Sequence, residues 1–179
     1  EKIYKKLEKY LWVFERKGVL KNHNLFVNKK YDVIILGGHR LARYIIEYLR
    51  KNKKKILVVD YDPEIIKLLN RKNISTFYAD VSNIDVLKEI PFNKVKVVIS
   101  TIPSREDNLI VLDYLNGIEK KPKVFLTTQH MHEAKELYNN LADYVILPYL
   151  ISGENVVEIL GKIIKDKKYL EKLKKEQLK

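Results

Sequence analysis

Along the first 17 residues the apolar side chains Ile3, Leu7, Tyr10, Leu11 and Phe14 fall three and four apart, with Lys5, Lys6, Glu8 and Lys9 between them. That spacing predicts an amphipathic helix. Residues 18–30 have no period and read as a linker. At Tyr31 the pattern changes: an apolar run to Leu36 ends at Gly37-Gly38, and Leu41, Tyr44, Ile45, Tyr48 and Leu49 then recur at helical spacing. A strand, a glycine turn and a helix are predicted.

The same unit recurs down the chain. Residues 55–60, 74–78, 95–100, 123–127 and 144–147 are short apolar runs rich in β-branched side chains, and each is followed by a polar break. Helices are predicted after them: from Asp62-Pro63, with Asp as N-cap and Pro at the first position, from about Asn83 with Ser82 or Asn83 as cap, over 105–115, and through 133–138. Strands this apolar, alternating with helices, need burial on both faces. They therefore imply an α/β fold, a Rossmann-like doubly wound parallel sheet of six strands. After Pro148 has ended the sixth strand, a last helix is expected from Gly153, carrying Val156, Val157, Leu160, Ile163 and Ile164 before a Lys-rich tail. Three parts follow: 1–30, 31–150 and 151–179.

Charge sharpens this division. The 179 residues carry 35 Lys+Arg and 23 Asp+Glu, a net +12. Residues 1–30 hold 9 basic and 3 acidic side chains, half of the excess, whereas residues 31–150 hold 18 against 15. The central domain is thus no polybasic nucleic-acid module, and it lacks aromatic side chains interleaved in a basic groove. With no cysteine, disulfides, zinc–thiolate sites and thiol nucleophiles are excluded, which fits a reducing cytoplasm. No uncharged apolar run approaches the ~18 residues of a membrane span. The chain opens on Glu1 without a secretory signal and reads as a piece of something longer.

In an open parallel sheet the ligand crevice lies over the carboxyl ends of the strands, and the turn after the first strand is the phosphate site. Here that turn is Gly37-Gly38-His39-Arg40-Leu41-Ala42. Against the G-x-G-x-x-G/A fingerprint of dinucleotide binding, Gly37 and Ala42 match, and His39 stands in place of the second glycine. An imidazole there either shifts a phosphate outward or contacts it. Arg40, at the helix start, adds positive charge to the helix dipole and the free N–H groups. The second strand ends in Asp60-Tyr61, about 20 residues on, where a carboxylate accepts from a ribose diol and repels a 2′-phosphate. NAD(H) or an adenine mononucleotide is therefore preferred over NADP. The third strand runs into Ala79-Asp80-Val81, on the rim where an adenine would lie, and the fourth into Ser100-Thr101-Ile102, over the centre of the crevice.

These residues together resemble the nucleotide-binding half of regulator-of-potassium-conductance domains, also called KTN or TrkA-N domains. The markers are Arg40 after the glycine turn, Val58-Val59-Asp60-Tyr61-Asp62-Pro63, Ala79-Asp80 where Gly-Asp is usual, and Ala142-Asp143-Tyr144-Val145-Ile146-Leu147-Pro148. Residues 10–17, Tyr-Leu-Trp-Val-Phe-Glu-Arg-Lys, are similar to the segment joining the last membrane helix of Kef-type cation:proton antiporters to their cytosolic domain. The resemblance implies a non-enzymatic regulatory domain that binds NAD(H) or AMP, ADP or ATP. It would sit at the cytoplasmic face of the cell membrane and control potassium or sodium transport by a membrane domain of the same longer chain. It also implies that residues 1–30 are a juxtamembrane helix and linker, and that the last helix crosses over to form a homodimer. The second regulatory subdomain usual after that helix is missing, since the sequence stops in a lysine-rich stretch.

Other readings fit less well. A hydride-transferring oxidoreductase needs a proton donor over the nicotinamide, yet none of the 12 tyrosines has a Lys four residues on, and no substrate domain follows the sixth strand. A phosphorylated receiver domain needs paired carboxylates after its first strand and a Lys after its fifth, where this chain has Gly37-Gly38 and Thr128. His130 and His132 could form a metal pair but have no carboxylate or Cys partner at a fixed spacing. An assembly domain without ligand remains the structural alternative.

Overall fold

The computed structural model describes residues 29–166 and 168–178. The helix expected near the N-terminus, the Tyr10 to Lys17 segment and most of the linker lie outside the described residues. The six expected strands are all present: β1 Val33–Leu36, β2 Ile56–Asp60, β3 Ser75–Tyr78, β4 Val97–Ser100, β5 Lys123–Thr127 and β6 Tyr144–Ile146. They form one parallel sheet in the order β3-β2-β1-β4-β5-β6. Between them run helices α1 Arg40–Lys51, α2 Pro63–Arg71, α3 Ile84–Glu89, α4 Arg105–Asn116 and α5 Met131–Asn139.

Strand alternation divides the core in two. Ile34, Leu36, Leu57, Val59 and Val98 face one side, packed with Leu87 of α3, Val111, Leu112 and Leu115 of α4 and Leu137 of α5. Val33, Ile35, Ile56 and Val58 face the other, against Ala42 and Ile46 of α1 and Leu69 of α2. Because successive side chains of a strand point to opposite faces, every residue of β1 and β2 is buried. Burying one such aliphatic side chain stabilises by about 1.5–3 kcal/mol, so this double coverage is what makes the parallel sheet viable.

Local signals set the helix starts. The Asp62 carboxylate accepts from Glu64 N–H at 2.8 Å with Pro63 beside it, Asn83 accepts from Asp85 N–H at 2.9 Å, and Ser104 accepts from Asp107 N–H at 3.2 Å. Of the two caps expected for α3, Asn83 is the one used.

The C-terminal part departs from the sequence expectation. Helix α6 spans Pro148–Lys165, so it starts at Pro148, five residues before Gly153, and runs through both Gly153 and Gly161. Proline at a first helical position loses no hydrogen bond, so the residue that stops β6 also starts α6. The Lys-rich tail forms a further helix, α7 Lys168–Gln177, where Lys, Glu, Gln and Leu are all good helix formers. No residue of α6 is buried, and Val156, Val157, Leu160 and Ile164 are each more than half exposed. Among the described residues no helix is long and apolar enough to cross a membrane.

Candidate functional site

The strand order reverses between β1 and β4, and a cleft of about 520 Å³ opens over their carboxyl ends. Of the residues singled out in the sequence, Gly37, His39, Arg40, Leu41, Asp60, Tyr61, Val81, Thr101 and Ile102 line it. Gly38 and Asp80 do not.

Gly37 is required twice over. Its φ is +83°, a conformation L side chains avoid, and a Cβ there would lie 2.9 Å from Thr101 Oγ1 and 3.1 Å from Ile102 Cγ1. The approach is that close because Thr101 closes the switch point. Its N–H donates to Leu36 O at 2.8 Å, and its hydroxyl is shared between the carbonyls of Gly37 at 3.0 Å and Leu36 at 3.3 Å.

Gly38 faces the sheet's other layer. A Cβ on it would sit 2.5 Å from Ile65 Cγ2 and 3.2 Å from Leu69 Cδ1, so this glycine lets α2 pack against the turn. Its N–H donates to Asp60 Oδ2 at 2.6 Å, and Asp62 N–H donates to Asp60 Oδ1 at 2.8 Å. Asp60 is only 4% exposed. Each of its oxygens has one lone-pair site engaged by backbone, and each retains a second.

His39 is the N-cap residue of α1 but makes no side-chain capping bond. Its Nε2 lies 3.6 Å from Asp62 Oδ2 and 4.0 Å from Asp60 Oδ2, with the side chain 56% exposed. The imidazole thus stands beside two carboxylates at the mouth of the turn. The first N–H groups of α1 have no partner within the helix, and with Arg40 they present positive potential to the cleft. Asp80, expected on the rim, turns one carboxylate oxygen to Ser82 N–H at 2.9 Å, which leaves its neighbours Ala79 and Val81 as the apolar wall.

Several lining residues were not among the site residues read from sequence: Pro103, Thr127, Gln129 and Tyr149, together with Val59, Ala79 and Pro148, which were read only as family markers. Thr127 and Gln129 follow from extending the carboxyl-end rule to β5. Tyr149 does not, because the pattern put the helix start beyond it. Asn108 of α4 supports this half, its amide donating to Ile102 O at 2.9 Å and Thr127 O at 2.8 Å. The His130 and His132 rings stack with centroids 5.5 Å apart, and no group of three or more potential ligands for a metal exists among the described residues.

Comparison with known proteins agrees with this architecture. "Probable potassium channel protein 2" of Methanocaldococcus jannaschii is 27% identical over 146 residues, 78% of this chain and 41% of its own length. The glutathione-regulated potassium-efflux system protein KefC of Cronobacter sakazakii is 31% identical over 77 residues, 43% of this chain and 12% of its own. The chain thus matches less than half the length of these relatives. Among solved structures, the TrkA-N domain of inner membrane protein YbaL from Escherichia coli superposes with a TM-score of 0.69 at 13% identity, covering 74% of this chain and 98% of that one. The Kef C-terminal domain of Shewanella denitrificans in its AMP-bound form gives 0.64 at 16%, covering 74% and 80%. The GsuK channel bound to NAD gives 0.59 at 15%, covering 68% and 22%. These likenesses show the fold. The family model for the TrkA-N domain matches residues 33–148, from the first residue of β1 to the first of α6, and the chain belongs to that family.

Proposed function

We propose that this TrkA-N domain is a nucleotide sensor at the cytoplasmic face of the membrane. It binds NAD(H) or AMP, ADP or ATP and controls potassium or sodium transport by an attached membrane domain, a cation:proton antiporter. The observation that carries this reading is the cleft itself, which lies at the switch point with a glycine turn, a helix N-terminus, Arg40 and Asp60 converging on one side. The names of the relatives, a potassium channel and a potassium-efflux protein, support the transport part. AMP in one structural neighbour and NAD in another support the ligand class.

In this reading the α1 N–H groups and Arg40 take the phosphates, the free lone pairs of Asp60 take a ribose, and Ala79, Val81 and Tyr61 flank the adenine. A mononucleotide uses the β2 side alone. A dinucleotide also reaches Thr127, Gln129 and Tyr149 beyond β4.

Output runs through α6. Pro148 and Tyr149, its first turn, line the cleft, while the rest of the helix presents an uncovered apolar stripe. A second copy covering that stripe makes a homodimer with two-fold symmetry, the simplest closed assembly. A ligand that touches Tyr149 then binds the arrangements of α6 unequally, and that inequality is all a regulatory ligand requires.

Calorimetric titration of the purified chain with NAD, NADH, AMP, ADP and ATP tests the reading. Binding tighter than about 1 mM by at least one of them is expected, and Gln129→Ala should weaken a dinucleotide but not AMP. If none binds, the domain is an assembly module and His39 has closed the phosphate turn.

A further inference from the structure

At the opposite edge of the sheet from the nucleotide cleft lies a second concavity, of about 840 Å³. It is formed where the amino ends of β1, β2 and β3 meet the carboxyl ends of α1 and α2. Six cations line it: Lys29, Lys30, Arg50, Lys53, Lys54 and Lys55. No Asp or Glu is on its wall, and none of the six side chains has an ion-pair partner among the described residues.

Helix dipoles explain only part of this charge. Two helix carboxyl ends supply about −0.5 each, so roughly one positive charge would balance them against six present. Asp32, whose Oδ2 accepts from the Lys55 main-chain N–H at 2.8 Å beside the wall, offsets about one more, and roughly four remain uncompensated in one concave site. The backbone is also committed there: Lys53 and Asn73, both on the wall, hold φ of +55° and +57°, and Lys53 occupies a post-helical position where glycine is the usual residue.

A neutral group completes the set. Tyr31 lines the same concavity, and its hydroxyl is buried without a hydrogen bond of normal geometry, Ser75 being the polar group beside it. Burial raises the phenol above the ordinary tyrosine range, with the Ser75 contact opposing, so the hydroxyl stays protonated and able to donate. Ammonium and guanidinium groups only donate, and a wall with six of them and no carboxylate repels cations and basic peptides as occupants.

We propose that this amino-edge pocket binds a multiply charged phosphate-bearing anion, with the six cations neutralising it and the Tyr31 hydroxyl bonding a phosphate oxygen. Such phosphate comes either from a soluble polyphosphorylated molecule or from the headgroup of an anionic lipid. The site is independent of the nucleotide cleft, with which it shares no residue.

Two probes distinguish the sources: inorganic tripolyphosphate by calorimetry, and flotation with phosphatidylcholine vesicles with or without cardiolipin. The triple variant Lys53→Gln, Lys54→Gln, Lys55→Gln should weaken the bound probe by about tenfold or more, since charge-assisted bonds are lost together. The same change at Lys172, Lys174 and Lys175 of α7 should leave it within about twofold, because those side chains lie outside the pocket. Tyr31→Phe should weaken tripolyphosphate binding while leaving the melting temperature of the free protein unchanged or raised, because it deletes an unsatisfied buried group. Tripolyphosphate binding without flotation assigns a soluble ligand, and cardiolipin-dependent flotation that tripolyphosphate displaces assigns a headgroup. Failure of both probes, or equal loss in the α7 control, overturns the proposal. Nucleotide titrations of the pocket variant should match the unaltered chain, which separates this outcome from a failure of the cleft.

Discussion

The main-chain N–H of Gly38 donates to Oδ2 of Asp60 at 2.6 Å, bridging 22 residues and joining the glycine turn to the end of β2. The carboxylate proposed to hold a ribose is therefore also the group that holds the glycine turn in place. With Asp62 N–H on Oδ1 and His39 alongside, Asp60 organises both walls of this side of the cleft.

Asp60→Ala should therefore act on folding as well as on ligand. Its removal strands the buried Gly38 N–H and the Asp62 N–H, a loss of roughly 1–3 kcal/mol, and any ribose-bearing ligand should weaken too. Urea unfolding of the free protein checks the first effect. An unchanged midpoint would show that the turn does not depend on this carboxylate.

Gly38→Ala should destabilise by about 1–3 kcal/mol through overpacking, because its Cβ would meet Ile65 Cγ2 at 2.5 Å. Ile65→Ala removes that carbon. The double variant should recover part of the loss, giving a non-additive cycle in denaturant midpoints, whereas simple additivity would place the clash elsewhere.

Acid should loosen the β5–β6 edge. Asp143 is pushed up by partial burial, but hydrogen bonds from Lys123 Nζ at 2.6 Å and Val124 N–H at 2.8 Å prevail and hold it below the ordinary carboxylate range. A pKa lower in the folded than in the unfolded state contributes stability above the unfolded value, about 4, and loses it as pH falls through the folded one. Asp143→Asn should thus be less stable than the parent at pH 7, with the gap narrowing as the pH falls below about 4 and through the lowered folded-state value. A gap that persists unchanged into acid would assign the effect to packing.

Leu160→Asp should convert a dimer to a monomer in sedimentation at micromolar concentration. Leu160 is 51% exposed on α6 in the single chain, and a carboxylate buried there in a dimer without a partner costs several kcal/mol. A parent chain that already sediments at 21.2 kDa would end the dimer reading.

Most of the fold was legible because its signals are local. Apolar runs of strand length, the Asp62-Pro63 and Asn83 caps, and the Gly37 turn each act over a few residues, and alternation of strand with helix leaves a parallel sheet as the way to bury both faces. Two strands were read two residues too long at their starts, from Tyr31 and Val95, where a side chain can be buried without its backbone joining the ladder.

What the sequence by itself determined was the class of fold, the cleft's position and most of its β1–β2 wall, since register and turn chemistry are written in neighbouring residues. Only the tertiary structure decided which of two adjacent glycines faces the cleft, because that depends on whether Thr101 or Ile65 crowds each one. The same holds for Asp80, whose carboxylate a turn two residues long draws away from the rim. It holds again for Tyr149 and for the basic pocket at the amino edge, whose residues come from three separate segments, within 29–31, 50–56 and 73–75. Such groupings are set by how helices pack on the sheet, a long-range property that periodicity does not encode.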